Sequence, residues 1–350
     1  METGTLNELY LTRSVIKHVR KHNKDITIGA GVGNDASCFK AGIRDFETGI
    51  TKTETADEVS YIYETEAVSE TPYIAWAKAL NNMAAAGGRA VGVRIIAMLP
   101  LGYDEAFLKK SMAEFNMLAD ENKLQIMGGH TQFGRAYAYP SFVVSVSGVG
   151  YGYKSCIKDI KPQDDIVMTK YTGLMGSDII ARTRFGELRT RYAESYIKEA
   201  FVDKAQYIVT KEANLSCDSN LSVKYMHDVS HGGVYGALWQ LGVASKHGIE
   251  VDNSLIPIKQ ETIEICEYYD INPYMLDGTG SLLIVSSKGE DLVKALKNVG
   301  IYAACIGKIS QDKNRIINTK TERRFLAPVK GDEIYKVMKD GYTLFDISPN

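Results

Sequence analysis

Cysteine is sparse in this chain and unpaired in spacing: Cys38, Cys156, Cys217, Cys266 and Cys305 lie far apart, with no CxxC among them. An odd, scattered set argues against a disulfide framework or a zinc site and suits a reducing compartment. Long apolar runs are missing too; nothing approaches the ~20 residues that cross a bilayer. The opening residues Met-Glu-Thr-Gly-Thr-Leu-Asn-Glu lack the basic and apolar regions of a secretory signal, so a cytoplasmic protein without membrane contact is expected. Charge is balanced, with 41 basic and 43 acidic side chains and a formal net charge of -2. That balance speaks against nucleic acid as a partner, which calls for a basic excess or stripe. The densest basic stretch, Arg182 to Arg191, is interleaved with Glu187 and Glu194 and reads as a solvated helical face.

What remains is an ordinary globular composition over 350 residues, long enough for two domains with cores of their own. Apolar spacing predicts helices over 6–21, 104–122 and from Thr71-Pro72 to about Ala86, where Gly87-Gly88 stop the last of these. Alternation predicts strands over 59–67, 90–99, 124–128 and 140–150. The turn at Lys161-Pro-Gln-Asp-Asp165 separates a domain over 1–155 from one over 160–350. In the second, strands are expected at 165–169, 222–227, 249–252, 281–286, 302–308 and 313–318, and helices at 176–186, 189–200, 202–213, 258–268 and 289–298. Irregular alternation of strand and helix favours α+β over a doubly wound sheet.

Several segments join glycine to small polar or acidic residues, a composition that lets a backbone approach a ligand and aim N–H groups at phosphate oxygens. Gly31-Val-Gly33-Asn34-Asp35 is either a plain turn or a phosphate loop. Glu66 leaves a strand beside Thr65, and Asn81-Asn82 sit inside a helix, where asparagine is unfavourable. Gly128-Gly129-His130-Thr131 is expected just after a strand. Asp228-Val-Ser-His-Gly232-Gly233 opens a helix, where free N–H groups suit an anion and where Asp228 or Ser230 could equally cap.

Taken in order, these segments resemble the aminoimidazole-ribonucleotide-synthetase-like superfamily of ATP-utilising proteins, nearest its hydrogenase-maturation branch. Gly31-Val-Gly-Asn-Asp-Ala-Ser is similar to that family's G-(I/V)-G-D-D-A-A loop, Thr65-Glu66 to its strand-end Thr-Asp, and Asn81-Asn82-Met-Ala-Ala-Ala-Gly-Gly to its N-D-L-A-A-M-G-A. Gly128-Gly129-His130-Thr131 is similar to G-G-D-T, Asp228-Val-Ser-His-Gly-Gly233 to D-V-S-x-G-G, and Asp277-Gly-Thr-Gly-Ser-Leu-Leu-Ile284 to S-x-G-x-L-L-(I/A). The resemblance implies an α+β fold of two domains, the first a four-stranded sheet that pairs with a second copy into a homodimeric barrel. It implies ATP as ligand, with Gly31, Gly33, Asn34, Asp35, Asn82, Gly128, Gly129, His130, Thr131, Asp228, Gly232 and Gly233 around the nucleotide. Magnesium would fall to Asp35 and Glu66, because Asn34, Asn82 and His130 stand where the family has aspartate. The chain ends Phe345-Asp-Ile-Ser-Pro-Asn350, without the terminal cysteine of the maturation factor, so carbamoyl dehydration by that route is not expected. Two expectations follow: an enzyme that activates an unidentified small molecule or protein group with ATP, or a non-catalytic member that binds nucleotide or assists assembly.

Overall fold

A computed structural model of the chain describes residues 8–19, 26–40, 60–151 and 159–338. Cys156, the boundary expected near 155 and the terminal residues 345–350 lie outside them. Two compact units emerge: one holds Val19–Ala30 and Asn34–Lys154, the other Met1–His18, Gly31–Gly33 and Ser155–Asn350. The first described helix, α1 (Glu8–Ser14), gives way to a 3-10 turn at Ile16–His18 and is shorter than the helix expected over 6–21. Leu9 and Val15 are exposed.

The N-terminal unit is a sheet with one covered face. Its strands are β1 (Ile26–Ile28), β2 (Ser37–Lys40), β3 (Ser60–Ser69), β4 (Arg89–Pro100), β5 (Gln125–Gly134) and β6 (Ser141–Tyr151), in the order β1-β2-β3-β6-β4-β5. The sheet therefore has six strands, not four: β1 and β2 are short additions to a long-stranded core of four. Only β4 and β5 pair in parallel, because the helix α3 (Glu105–Asn122) carries the chain across between them. The second helix of the unit, α2 (Pro72–Ala85), starts with proline at its first turn. It ends as the glycine pair predicts: Gly87, at φ +80°, and Gly88 donate to the carbonyls of Ala84 and Met83. Trp76 of α2, Phe115 of α3 and Phe142 of β6 meet in a fully buried aromatic cluster. Each such side chain contributes about 1.5–3 kcal/mol of hydrophobic free energy. Along β3 the residues Tyr61, Tyr63 and Thr65 are buried, while Glu64, Glu66 and Val68 project from the uncovered face.

One strand differs from expectation. The run predicted to stop at Gly128 continues to Gly134 as β5, at the sheet's edge and exposed at most positions. Its glycines read as stops, and its exposure leaves no apolar alternation to extend the prediction.

The C-terminal unit carries strands β7 (Asp165–Thr169), β8 (Val223–Val229), β9 (Gly248–Asp252), β10 (Ser281–Ser286), β11 (Ala303–Ser310), β12 (Arg315–Asn318) and β13 (Arg323–Phe325), ordered β13-β12-β9-β11-β7-β10-β8. Its helices are α4 (Leu174–Thr183), α5 (Phe185–Leu188), α6 (Glu194–Glu199), α7 (Thr210–Ser216), α8 (Gly233–Ser245), α9 (Gln260–Tyr268), α10 (Gly289–Asn298) and α11 (Ile334–Val337). Every residue of β10 is buried; Leu283 and Val285 join the cluster formed with Leu238 and Leu241 of α8, and their neighbours face the other way. The helices expected over 189–200 and 202–213 are broken into α6, a 3-10 turn at Lys204–Tyr207 and α7. The reason is Asp178 on α4. Its Oδ1 accepts from Val202 N at 3.0 Å and from Arg182 Nε at 2.7 Å, and its Oδ2 accepts from the Tyr207 hydroxyl. A backbone N–H bound to that buried carboxylate cannot serve a continuous helix. No helix among the described residues is long and apolar enough to cross a membrane.

Candidate functional site

In the N-terminal unit, three of the segments singled out by sequence come together. The Thr65 hydroxyl donates to the carbonyl of Asp35 at 2.6 Å, tying the glycine loop to the middle of β3. One residue on, the Asn82 amide of α2 donates to the carbonyl of Glu66 at 3.4 Å. The Asn34 amide turns back onto the Gly29 carbonyl at 2.9 Å. Asp35 is half-buried, Asn82 half-buried and Asn81 wholly buried. The helical asparagines are thus compensated: their unfavourable propensity is met by tertiary contact.

The fourth segment is not brought to this cluster within the unit. Register places Glu66 opposite Ser145, Ser145 opposite Arg94, and Arg94 opposite Gly128. Three strand spacings of ~4.8 Å put Gly128 about 14 Å from β3. Gly128, His130 and Thr131 lie exposed along β5. Gly129 has a structural reason of its own: a Cβ there would stand 1.8 Å from the Ile95 carbonyl oxygen of β4.

Magnesium needs several oxygen donors in a near-octahedral array. Asp35 and Glu66 are the acids expected to supply them. Asp35 is anchored by Thr65 on the covered face of β3, whereas Glu66 projects from the open face. The amides of Asn34 and Asn82 are already donating to backbone.

In the C-terminal unit, Gly33 packs against α8. Its carbonyl accepts from the Tyr225 hydroxyl at 2.7 Å, and at φ +76° a Cβ would come within 2.9 Å of Ala244. Only glycine suits that approach. On β8, His227 faces α8 and contacts the Gln240 side chain, so the alternating Asp228 faces away from it. Neither Asp228 nor Ser230 caps α8; the N-cap is Gly232, at φ +79°. The anion at this helix end belongs to the chain. Asp332, with a fully buried side chain, accepts from Gly232 N at 2.7 Å, from Asp277 N at 3.2 Å and from Ile334 N at 2.9 Å. Gly233 N donates to the Ser230 carbonyl, as does Gly278 N. The free N–H groups expected at Gly232-Gly233 are therefore already satisfied by protein. Gly233 also has no room for a side chain, since a Cβ would meet the Tyr274 and Leu276 carbonyls at 2.6 and 2.7 Å.

Sequence reasoning missed Tyr225 and Asp332, both of which act on glycines it had found. Tyr225 sits in an apolar strand and looks like core. Asp332 reaches a partner one hundred residues away, and no local pattern signals that.

The same segments match, in order, two family descriptions. Residues 33–151 match the N-terminal domain of AIR synthase related protein, and residues 161–319 match its C-terminal domain. The chain belongs to the AIR synthase related family. Within that family it is 23% identical over 335 residues to a putative hydrogenase expression/formation protein of Methanocaldococcus jannaschii, covering 93% of this chain and 96% of that one. It is 21% identical to the carbamoyl dehydratase HypE of Rhizobium leguminosarum bv. viciae over 69% of each chain. Among solved structures, hydrogenase maturation protein HypE in complex with ATP superposes with a TM-score of 0.66 at 15% identity, covering 78% of this chain and 86% of that one. The AIR synthase related fold, two α+β domains of mixed sheets with helices, is thereby shared; at this identity the structural likeness speaks to fold.

Proposed function

We propose that this AIR synthase related protein binds ATP through its N-terminal unit and uses the terminal phosphate to activate a substrate. The observation that carries the reading is the joining of the glycine loop, β3 and α2 by the Thr65–Asp35 and Asn82–Glu66 contacts. Three short motifs far apart in sequence converge on one side of one sheet, as a shared ligand would require. The relative solved with ATP supports the choice of nucleotide. Asp35 would approach the phosphates, and Asn82 would orient them. Gly128, His130 and Thr131, remote from this cluster in their own unit, would contribute from a second copy in a homodimer.

A second reading is favoured by a specific observation. Asn34 and Asn82, which stand where the family has aspartate, donate their side-chain amides to backbone carbonyls, so fewer carboxylates are present for magnesium than the family pattern holds. A protein that holds nucleotide without turning it over fits that arrangement.

Calorimetric titration of ATP and of a non-hydrolysable analogue, each with and without magnesium, separates the two when combined with an assay of phosphate release. Magnesium-dependent micromolar binding with phosphate release supports the enzyme. Binding that ignores magnesium and releases no phosphate supports the holding protein. No binding of either nucleotide overturns both.

A further inference from the structure

The outer edge of the C-terminal sheet carries a concentration of positive charge that carboxylates among the described residues answer only in part. Over residues 312–330, Lys313, Arg315, Lys320, Arg323, Arg324 and Lys330 stand against only Asp312 and Glu322, in a chain whose net charge is -2. Two of these arginines are stacked on aromatic rings of α8. Arg315 lies 4.2 Å from the Trp239 ring centre, and Arg324 lies 5.8 Å from that of Tyr235 while donating to its hydroxyl at 2.8 Å. Tyr235 and Trp239 are four residues apart and share one face of the helix. Gly242, a turn further on, clears the space: a Cβ there would meet Arg315 Nε at 2.3 Å.

Other partly buried cations of this unit are matched by carboxylates. Lys170 pairs with Glu212, Lys224 with Asp164 and Arg182 with Asp178, all within 2.7 Å. Arg315 is different. Its Nε is buried without a hydrogen-bond partner among the described residues. Burial pulls its basicity down with no carboxylate opposing the effect. A desolvated guanidinium held flat on an indole, its planar fork unanswered, suits a carboxylate supplied from outside.

What could supply it is set by the strand beside it. β13 ends the sheet. Arg324 pairs with Ile317, and Leu326 N donates to the Arg315 carbonyl. By alternation, the N–H and C=O groups of Arg323 and Phe325 point away from β12 into the open edge. Phe325 is 72% exposed, the highest value among the exposed large hydrophobic residues described. Arg323, 63% exposed, makes a long ion pair with Glu250, at 3.8 Å, and acts on Asp312 as well. An open strand edge, an exposed aromatic ring and a row of cations together fit an extended chain of opposite charge. A second copy of the same edge would be repelled by its own arginines. The edge also lies beyond residue 319, where the match to the family's C-terminal domain ends.

We propose that β13 is a docking edge for an extended acidic segment of a partner protein, added as a further strand whose carboxylates meet Arg315 and Arg324 on the α8 face of the sheet and Arg323 on the opposite face. The test uses the whole chain and a fluorescein-labelled peptide of about ten residues with glutamates on both faces of the extended chain and valines between them, read by anisotropy. Expected are saturable binding and a loss of about tenfold or more in affinity for Arg323→Glu. A peptide N-methylated along one edge should fail to bind, since it cannot pair. That probe leaves the protein unaltered, so the conclusion does not hang on the folding of a variant. Equal binding of a lysine–valine peptide, undiminished binding of the N-methylated peptide, or unchanged affinity in Arg323→Glu would each overturn the proposal. Preference for a single-stranded oligonucleotide or for anionic vesicles over the acidic peptide would overturn it as well.

Discussion

Gly129 and Gly102 look alike in sequence, each a glycine in or beside a strand, yet the structure assigns them opposite weights. At Gly129 an added Cβ would be driven into the Ile95 carbonyl, so β4 and β5 could not stay paired. Gly129→Ala should lower stability by about 3 kcal/mol or more in urea denaturation, the range of overpacking that backbone cannot relieve. Gly102, at φ +110° but with nothing within 4 Å, should lose only about 1 kcal/mol on the same change. Cys266 makes a prediction of another kind. Burial first, and then the charge of Glu333, push its thiol up from 9.0 to about 12. Between those values the unfolded chain has released a proton that the native chain keeps. Stability therefore falls as pH rises, by about 1.4 kcal/mol per unit from this one group. Cys266→Ala should remove that share of the slope in alkaline denaturation curves, while leaving the curve below pH 9 parallel to that of the parent chain. Restoring acids at Asn34 and Asn82 tests the site itself: Asn34→Asp together with Asn82→Asp should raise magnesium affinity, measured calorimetrically with nucleotide present.

At the scale of elements, the central scaffold was legible and its joints were not. The strand over 59–67 is found as β3, that over 281–286 as β10, and the helix from Thr71-Pro72 to its glycine stop as α2. Periodicity and end signals are local, and local physics decided those elements. The broken helices between 189 and 213 were hidden because their break is made by Asp178, more than twenty residues upstream. The extension of β5 was hidden because an exposed edge strand has no buried face to impose alternation. The candidate site shows the same division: the glycine segments stand out in sequence, but the hydroxyls and carboxylates that hold them, from Thr65, Tyr225 and Asp332, do not. Asp178→Ala should therefore loosen more than one helix. Leaving Arg182, Val202 and Tyr207 without their common acceptor should lower stability by about 3–5 kcal/mol, checked by chemical denaturation.

For the whole molecule, the open edge of the N-terminal sheet is the feature with most consequence for assembly. Among the described residues β5 pairs with β4 alone, and it exposes Met127 and Phe133 along its outer edge, with Val91 and Leu101 exposed on or just beyond β4. A long exposed edge of this kind normally finds a partner. The homodimer expected from the family resemblance would cover it, and Phe133→Asp should shift the chain to a monomer in light scattering after size exclusion. Such a variant would also separate Gly128, His130 and Thr131 from the nucleotide cluster they are proposed to complete, so nucleotide affinity should fall with the dimer.

The carboxylate of Asp332 carries one more consequence, in time rather than in space. A ribosome makes α8 long before it makes residue 332, so the amino end of that helix emerges with its cap still unsynthesised. Until Asp332 arrives, Gly232 and Asp277 have no acceptor for their N–H groups, and the turn they belong to has nothing to close on. The turn at Gly232 therefore takes its final form only after residue 332 has been made, however early the strands around it appear. Nascent chains stalled before residue 332 should stay open to protease around Gly232, and those released past residue 338 should become resistant.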